Sequence, residues 1–391
     1  MAAVATLATD VAVLGGGPAG CATALSLARS GYLVVLIERS EYQSYRPGET
    51  LPPEIREPLV TLGVWTRFLA DNHSPSFCIH SAWSQDCLCR NDFIFNPYGP
   101  GWHVDRQRFD AMLSHAAEDA GVLVCRGGQR TRVTEGAAGL WHITVAGADE
   151  PRSWRSRFVV DATGRVAAFA RAQGATRISY DQLVGLVRFL SGKDAEGNRG
   201  SHTVVEALED GWWYRAPCPT ARCVLAYMTD ADLYARGLEQ STTYWHDRLQ
   251  RAQHTLSGLA NHALEPEPLV FSANSSLLDR IAGWNWLAAG DAAAAFDPLS
   301  SQGVYRALSS GILAAKSLHQ SWAGNKRALE HYVTDVCDNF ATYLAQRDLL
   351  YSQESRWSNS TFWQRRATSR QKLLARLSIR FVRATQQEGM L

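Results

Sequence analysis

Val11-Ala12-Val13-Leu14-Gly15-Gly16-Gly17-Pro18-Ala19-Gly20 decides the fold of this chain. An apolar, β-branched run becomes a glycine turn, and the turn opens a small-residue helix read over Cys21 to Ser30. A turn at Gly31 and a second apolar strand, Leu33 to Ile37, follow, closed by Glu38. Strand, helix, strand and acid in that register predict a βαβ dinucleotide-binding unit. Gly15 permits the tight turn, Gly17 lets backbone approach a pyrophosphate, and Gly20 lets helix pack on strand. Pro18 and Ala19 start the helix, whose free N–H groups and positive dipole end suit phosphate. Glu38 is placed to accept hydrogen bonds from an adenosine ribose, and Arg39 beside it is a further cofactor candidate.

Two later segments carry the same kind of signal. Phe158-Val159-Val160-Asp161-Ala162-Thr163-Gly164-Arg165 reads as a buried strand ending in a small-residue turn, with Asp161, Ala162 and Gly164 facing the cofactor. Trp286-Leu287-Ala288-Ala289-Gly290-Asp291 is another strand, and Asp291 after Gly290 can hydrogen-bond a ribityl hydroxyl. Asp297-Pro298-Leu299-Ser300-Ser301-Gln302-Gly303 then leads into a helix over Val304 to Trp322. Pro298, Ser301, Gln302 and Gly303 would set amides against the flavin pyrimidine end, stabilising the negative charge of reduced flavin. Arg106, in Trp102-His103-Val104-Asp105-Arg106, is a second charged candidate. Contacts spread over this length favour FAD over a nicotinamide cofactor alone.

The rest of the chain sets bounds. Its 391 residues exceed one small core, so two intertwined domains and a terminal extension are expected. Lys+Arg 39 against Asp+Glu 38 gives a net charge of +1, no basis for nucleic-acid binding. Met1 to Thr9 lacks a basic n-region and no apolar run spans a bilayer, so a cytoplasmic location and no membrane span are expected. The eight cysteines are scattered and expected to be reduced. Cys218 and Cys223, around Pro219-Thr220-Ala221-Arg222, read as core-facing thiols beside a hairpin turn rather than a redox disulfide. No metal is expected. Most of the 13 tryptophans should fill the core, with several free to line a flat apolar pocket.

Thr203 to Ala207, Trp212 to Ala216 and Cys223 to Met228 read as strands of a substrate domain. The expected fold class is α/β (α+β). An FAD-binding domain comes from 1–50, 102–175 and 276–330, a mixed β-sheet substrate domain from 51–101 and 176–275, and a helical region from 331–391. In the last, Arg370 to Thr385 places Leu373, Leu374, Leu377 and Phe381 on one face and five basic residues elsewhere. That helix either packs on its own protein or docks an acidic partner or membrane surface.

Together these motifs resemble the flavoprotein monooxygenases of the p-hydroxybenzoate hydroxylase type, within them the branch of flavin-dependent tryptophan halogenases and their non-halogenating relatives. Arg46-Pro47-Gly48-Glu49-Thr50-Leu51-Pro52-Pro53 resembles that branch's segment beside the isoalloxazine, which implies cofactor roles for Gly48, Glu49 and Thr50. The resemblance implies a GR2-type FAD-binding, Rossmann-like domain with an inserted mixed sheet. Two departures count against halogenation. Halogenases use a lysine after the Gly-Glu-Thr segment to deliver hypohalous acid, and this chain has no lysine between Met1 and Gly192. Their Trp-x-Trp-x-Ile-Pro stretch becomes Trp212-Trp213-Tyr214-Arg215-Ala216-Pro217. Arg106 cannot replace the lysine, because a guanidinium does not readily release its proton.

The resemblance then implies hydroxylation of an electron-rich ring through a flavin C4a-(hydro)peroxide, with O2 as co-substrate. Glu206 and Tyr214 are the candidates for substrate contact or proton transfer. Val205-Glu206-Ala207, Asp210-Gly211-Trp212-Trp213-Tyr214 and Met228-Thr229-Asp230-Ala231-Asp232 look like the flavoprotein maturases of amine and amino-acid oxidases. So do Gln353-Glu354-Ser355-Arg356-Trp357 and Thr361-Phe362-Trp363-Gln364-Arg365-Arg366. Those proteins oxygenate a tryptophan of a partner oxidase or dehydrogenase subunit to build tryptophylquinone. A small aromatic substrate, a halogenase, an isoprenoid double-bond reductase and a non-enzymatic flavin-binding chaperone stay open as alternatives. The electron source is equally open between NAD(P)H and a separate flavin reductase, since Gly127-Gly128 lacks the context of a second dinucleotide turn.

Overall fold

The structure is a computed structural model describing residues 6–128, 130–146, 152–191, 202–219, 222–240, 243–257, 259 and 268–367. The expected helix from Arg370 to Thr385 lies outside them. Thr6–Leu14 forms the central strand of the first sheet, with Val11, Ala12 and Val13 fully buried. It pairs in parallel with Val34–Ile37 on one side and Arg152–Asp161 on the other. Trp286–Ala288 and Leu123–Cys125 extend the parallel set outward. Helices cover both faces of such a sheet, which is why the inner stretches 11–14, Val34–Ile37 and 158–160 are continuous buried apolar runs rather than alternating. Arg130–Glu135 and Trp141–Ala146 add an antiparallel flap on Arg152–Asp161.

Two helices pack unusually close beside the glycine turn. In Pro18–Arg29 and Gly303–Trp322, a Cβ added at Gly311 would lie 2.3 Å from the Ala19 carbonyl oxygen. The Thr23 hydroxyl lies 2.8 Å from the Ala19 oxygen and 3.1 Å from that of Gly311, tying the pair across the crossing. Small residues at the crossing thus bring the two helices together.

The second sheet runs, in order, Leu269–Ser272, Leu183–Ser191, Arg222–Asp230, Gly211–Cys218, Thr203–Leu208, Cys78–Ala82 and Cys89–Asp92. Its pairs are antiparallel except Thr203–Leu208 with Cys78–Ala82. It is therefore mixed, as expected. Alternation divides its faces. Val187, Ala226, Met228 and Tyr214 share one face, while Leu186, Trp213, Leu225 and Tyr227 form a separate core with Tyr244, Trp245 and Leu249.

Ala328–Ser352 is a long helix returning across both sheets. Its Tyr332 hydroxyl donates to the Ala288 carbonyl at 2.7 Å. The segment after it grips the second sheet: Trp363 Nε1 donates to Leu208 O at 2.9 Å, and Arg366 pairs with buried Asp230 at 2.8 Å. All eight cysteines are free thiols, Cys218 and Cys223 included. Among the described residues no helix is long and apolar enough to cross a membrane.

Candidate active site

A cavity of about 390 Å³ lies where the glycine turn, the start of Gly303–Trp322 and the second sheet meet. Gly17, Pro18, Ala19, Ala162, Gly164, Asp291, Pro298, Ser301 and Gly303 line it from the nucleotide-binding side. Neither Gly17 nor Gln302, the residues preceding the two helices, caps its helix with a side chain. Uncapped helical amides at a cavity wall form an anion site by geometry and by dipole. A Cβ at Gly17 or Gly303 would meet no protein atom within 4 Å, so bare backbone faces open space at both helix starts. The other two glycines of the turn work inside the protein. A Cβ at Gly15 (φ +103°) would lie 2.3 Å from Ala162 O, and one at Gly20 1.8 Å from Gly15 O.

Behind the cavity runs a chain of buried charges. Arg106 donates from Nε and Nη2 to Asp110 at 3.1 and 3.0 Å and from Nη1 to the Pro47 carbonyl at 2.6 Å. Arg46 bridges Asp110 and Glu38. A Cβ at Gly48 (φ +110°) would lie 2.6 Å from the Arg106 Nη1, so this glycine makes room for the guanidinium at the wall. Arg106 itself lines the cavity.

Several expected site residues stand elsewhere. Glu38 does not line the cavity: it accepts the Gly16 amide at 2.7 Å, the Ser40 amide at 3.0 Å and the Arg46 guanidinium. Burial opposes its ionisation, but the Ser40 hydrogen bonds and Arg46 hold its pKa below the ordinary value. Its carboxylate fastens the turn. Arg39 is exposed and outside the lining. Asp161 is fully buried and accepts the amides of Thr163 at 2.9 Å and Ala170 at 2.8 Å, so it shapes the loop that carries Ala162 and Gly164. Gln302 is also outside the lining, its Oε1 accepting from Arg306. Gly290 (φ +61°) sets the turn that presents Asp291.

Glu206 requires the largest correction. It pairs in the sheet with Trp213, not Tyr214, and so points to the face away from the cavity. There it accepts the amides of His254 at 3.2 Å and Thr255 at 2.8 Å and the Thr255 hydroxyl at 2.7 Å, capping the helix Gln253–Ser257. Tyr214, by contrast, lines the cavity. Its hydroxyl lies 2.6 Å from Thr50 Oγ1, which is 3.1 Å from Thr203 Oγ1 and 3.3 Å from His103 Nδ1. Burial and then the nearby Glu49 push the phenol well up, so Tyr214 stays protonated. Burial lowers buried His103 to about 4, leaving it neutral. Of the Trp212-Trp213-Tyr214 stretch only Tyr214 reaches the cavity, and no tryptophan lines it. Trp212 donates instead to Tyr351 Oη at 3.0 Å.

Glu49, Asp291 and Asp297 are the acids of the wall. Burial pushes Asp297 up to about 6, with neighbouring Asp181 acting in the same direction. Its Oδ2 accepts from Tyr351 at 2.8 Å, and its amide donates to Tyr343. Asp297 and Arg165, which lies 3.5 Å from Asp291, belong to the site although the motif reading passed over them. The far wall is Gly185, Val187, Val224, Ala226 and Met228. A short apolar strand gives no sign of which of its faces meets a cavity, so sequence could not single these out.

The FAD binding domain family matches residues 8–347, and the chain belongs to it. With its fold and relatives this makes it a flavin-dependent enzyme of the halogenase-like branch of flavin monooxygenases. Among its relatives is LodB of Marinomonas mediterranea, which its name describes as an FAD-dependent oxidoreductase. The two are 28% identical over 361 residues, covering 91% of this chain and 96% of LodB. A tryptophan 2-halogenase of Chondromyces crocatus is 26% identical over 81% of this chain and 62% of its own length. The flavin-dependent halogenase CmlS superposes with a TM-score of 0.81 at 25% identity, covering 96% of this chain and 70% of CmlS. QhpG, a peptidyl tryptophan dihydroxylase essential for tryptophylquinone cofactor biogenesis, superposes at 0.74 with 26% identity over 92% and 78%.

Proposed function

We propose that the chain is an FAD-dependent monooxygenase that oxygenates an indole ring, the ring belonging to a tryptophan of a partner oxidase or dehydrogenase subunit. The observation that carries this reading is the cation content of the cavity wall. Arg106 and Arg165 line it, and among the described residues no lysine does. Among the described residues Lys316 and Lys326 are both exposed. Arg106 is engaged by Asp110 and Pro47, and a guanidinium retains its proton at any working pH. Among the described residues the wall therefore offers no amine to carry an activated halogen, whereas oxygen transfer asks mainly for a dry, shaped space. The likeness to QhpG supports a protein-borne indole.

The residues present fit FAD: bare amides at Gly17 and Gly303, Asp291 for a polyol, Arg106 and an unpartnered buried carboxyl at Glu49. When bound and reduced, FAD supplies the activation of O2. The amides after Gly17 would hold its phosphates, and those opening Gly303–Trp322 would favour negative charge at the ring. Val187, Val224, Ala226 and Met228 exclude water from the reacting side. Tyr214, kept protonated, donates through its hydroxyl and is oriented by Thr50. Electrons arrive from NAD(P)H or a separate reductase.

The test supplies chemically reduced FAD and O2 to the full chain with an unprocessed partner subunit, with free tryptophan in a parallel reaction, with and without bromide. The expected result is a gain of oxygen atoms on the subunit's tryptophan by intact mass, unchanged by bromide. A brominated product, or no oxygen gain on any indole, overturns the reading.

A further inference from the structure

Glu49 is a carboxyl whose surroundings are incomplete. Its residue is only 3% exposed, yet it lines the cavity. Oε2 accepts the Gly48 amide at 3.0 Å. Oε1 is buried and has no hydrogen-bond partner among the described residues. A buried polar atom left unpaired is costly, so such an atom at a cavity wall marks a place where a ligand completes the bonding.

The charged and titratable neighbours show which protonation state that ligand meets. Arg106 is the nearest cation to act on Glu49, but its donors are held by Asp110 and Pro47. Arg46 is held by Asp110 and Glu38, and Arg222 lies over the Tyr45 ring, both behind Glu49. Asp105 caps its own helix through Gln107 and Arg108. Tyr214 and Cys218, from the facing strand, are neutral because burial raises both. None of these neutralises a Glu49 carboxylate. Burial outweighs the amides of Glu49 and Gly48 and the charge of Arg106, and the carboxyl is pushed up to about 7. The Gly48 amide occupies Oε2 and Oε1 has no partner among the described residues, so the proton belongs on Oε1.

We propose that Glu49 is a built-in proton donor of the cofactor site, its Oε1–H bonding an acceptor atom of the flavin ring, so that FAD binding requires the protonated carboxyl. This rests on the reading of the cavity as the FAD site and not on which reaction the flavin performs. A neutral Glu49 also keeps negative charge away from the ring, which acquires it on reduction.

The full chain is equilibrated with FAD from pH 6 to pH 9, and bound and free flavin are separated by ultrafiltration. With a midpoint about 7 the carboxyl is half protonated at pH 7 and about one-hundredth protonated at pH 9, so affinity should fall about fifty-fold between them. Glu49→Gln retains a donor and cannot ionise, and its affinity should be flat over this range. Asp297→Asn should keep the fall, because Asp297, with its midpoint at about 6, is already largely ionised at pH 7. Wild-type affinity that is flat from pH 7 to pH 9, or an equal fall in Glu49→Gln, overturns the proposal while leaving the FAD site intact. A chain that takes up no FAD at any pH overturns both. If Glu49→Gln fails to fold, the wild-type and Asp297→Asn curves still decide.

Discussion

Glu206 and Tyr214 lie on neighbouring strands, one step apart in register, and do unrelated work. The Glu206 carboxylate holds three donors at the start of Gln253–Ser257, on the far face of the sheet. Glu206→Ala removes this cap and leaves two buried amides unpaired, so it should lower the unfolding free energy by about 1–2 kcal/mol in urea while flavin content per chain stays unchanged. Loss of flavin without loss of stability would return Glu206 to the site. The difference from Tyr214 was not legible in sequence, since the partner helix lies nearly fifty residues downstream and a strand residue's face depends on register. The glycine turn was legible because its residues answer to local geometry. Gly15 needs a positive φ, and Gly15 and Gly20 admit no Cβ.

At the scale of elements, the crossing of Pro18–Arg29 and Gly303–Trp322 shapes the cavity wall, because Ala19 at the start of one packs against Gly311 in the middle of the other. Ala19 touches Gly290 and Gly311 at once: a Cβ at Gly290 would lie 2.5 Å from the Ala19 Cβ. Gly311→Val should force the helices apart, costing about 1–3 kcal/mol as overpacking does. It should also weaken FAD binding measurably by flavin fluorescence, although position 311 does not line the cavity. Unchanged binding would mean that the crossing does not set the site. The helix over Val304 to Trp322 was foreseen within one residue, since its apolar spacing and the preceding Asp-Pro are local signals. Leu183–Ser191 and Cys78–Ala82 were not foreseen, although the first contributes Gly185 and Val187 to the cavity. Their pairing is set by strands distant in sequence, and a short apolar run does not announce its neighbours.

Across the whole molecule, the segment 328–367 acts as a clasp. Tyr343 and Tyr351 reach Asp297 from the long helix, and Arg365 and Arg366 close on Asp230 in the second sheet. Asp230→Ala would leave the buried Arg366 guanidinium without its ion partner and should cost about 3–5 kcal/mol of stability by urea unfolding. A change within 1 kcal/mol would show the clasp to be dispensable. The presence of two separate large sheets was legible in the order of motifs, because strand-turn signals recur on either side of β-rich sequence. The clasp was not, since nothing local says which surface a helix returns to cover.

That clasp gives the site a history during synthesis. The glycine turn leaves the ribosome before its partners, since Thr6–Leu14 takes as neighbour Arg152–Asp161, and Trp286–Ala288 pairs beyond that. Gly303 emerges later still, and Asp297 gains its last partner only with Tyr351. Domains emerging from the ribosome fold as units when their contacts are complete. The glycine turn thus waits for residues far downstream of it, and the nascent chain has no finished cradle to offer a flavin until Tyr351 has emerged.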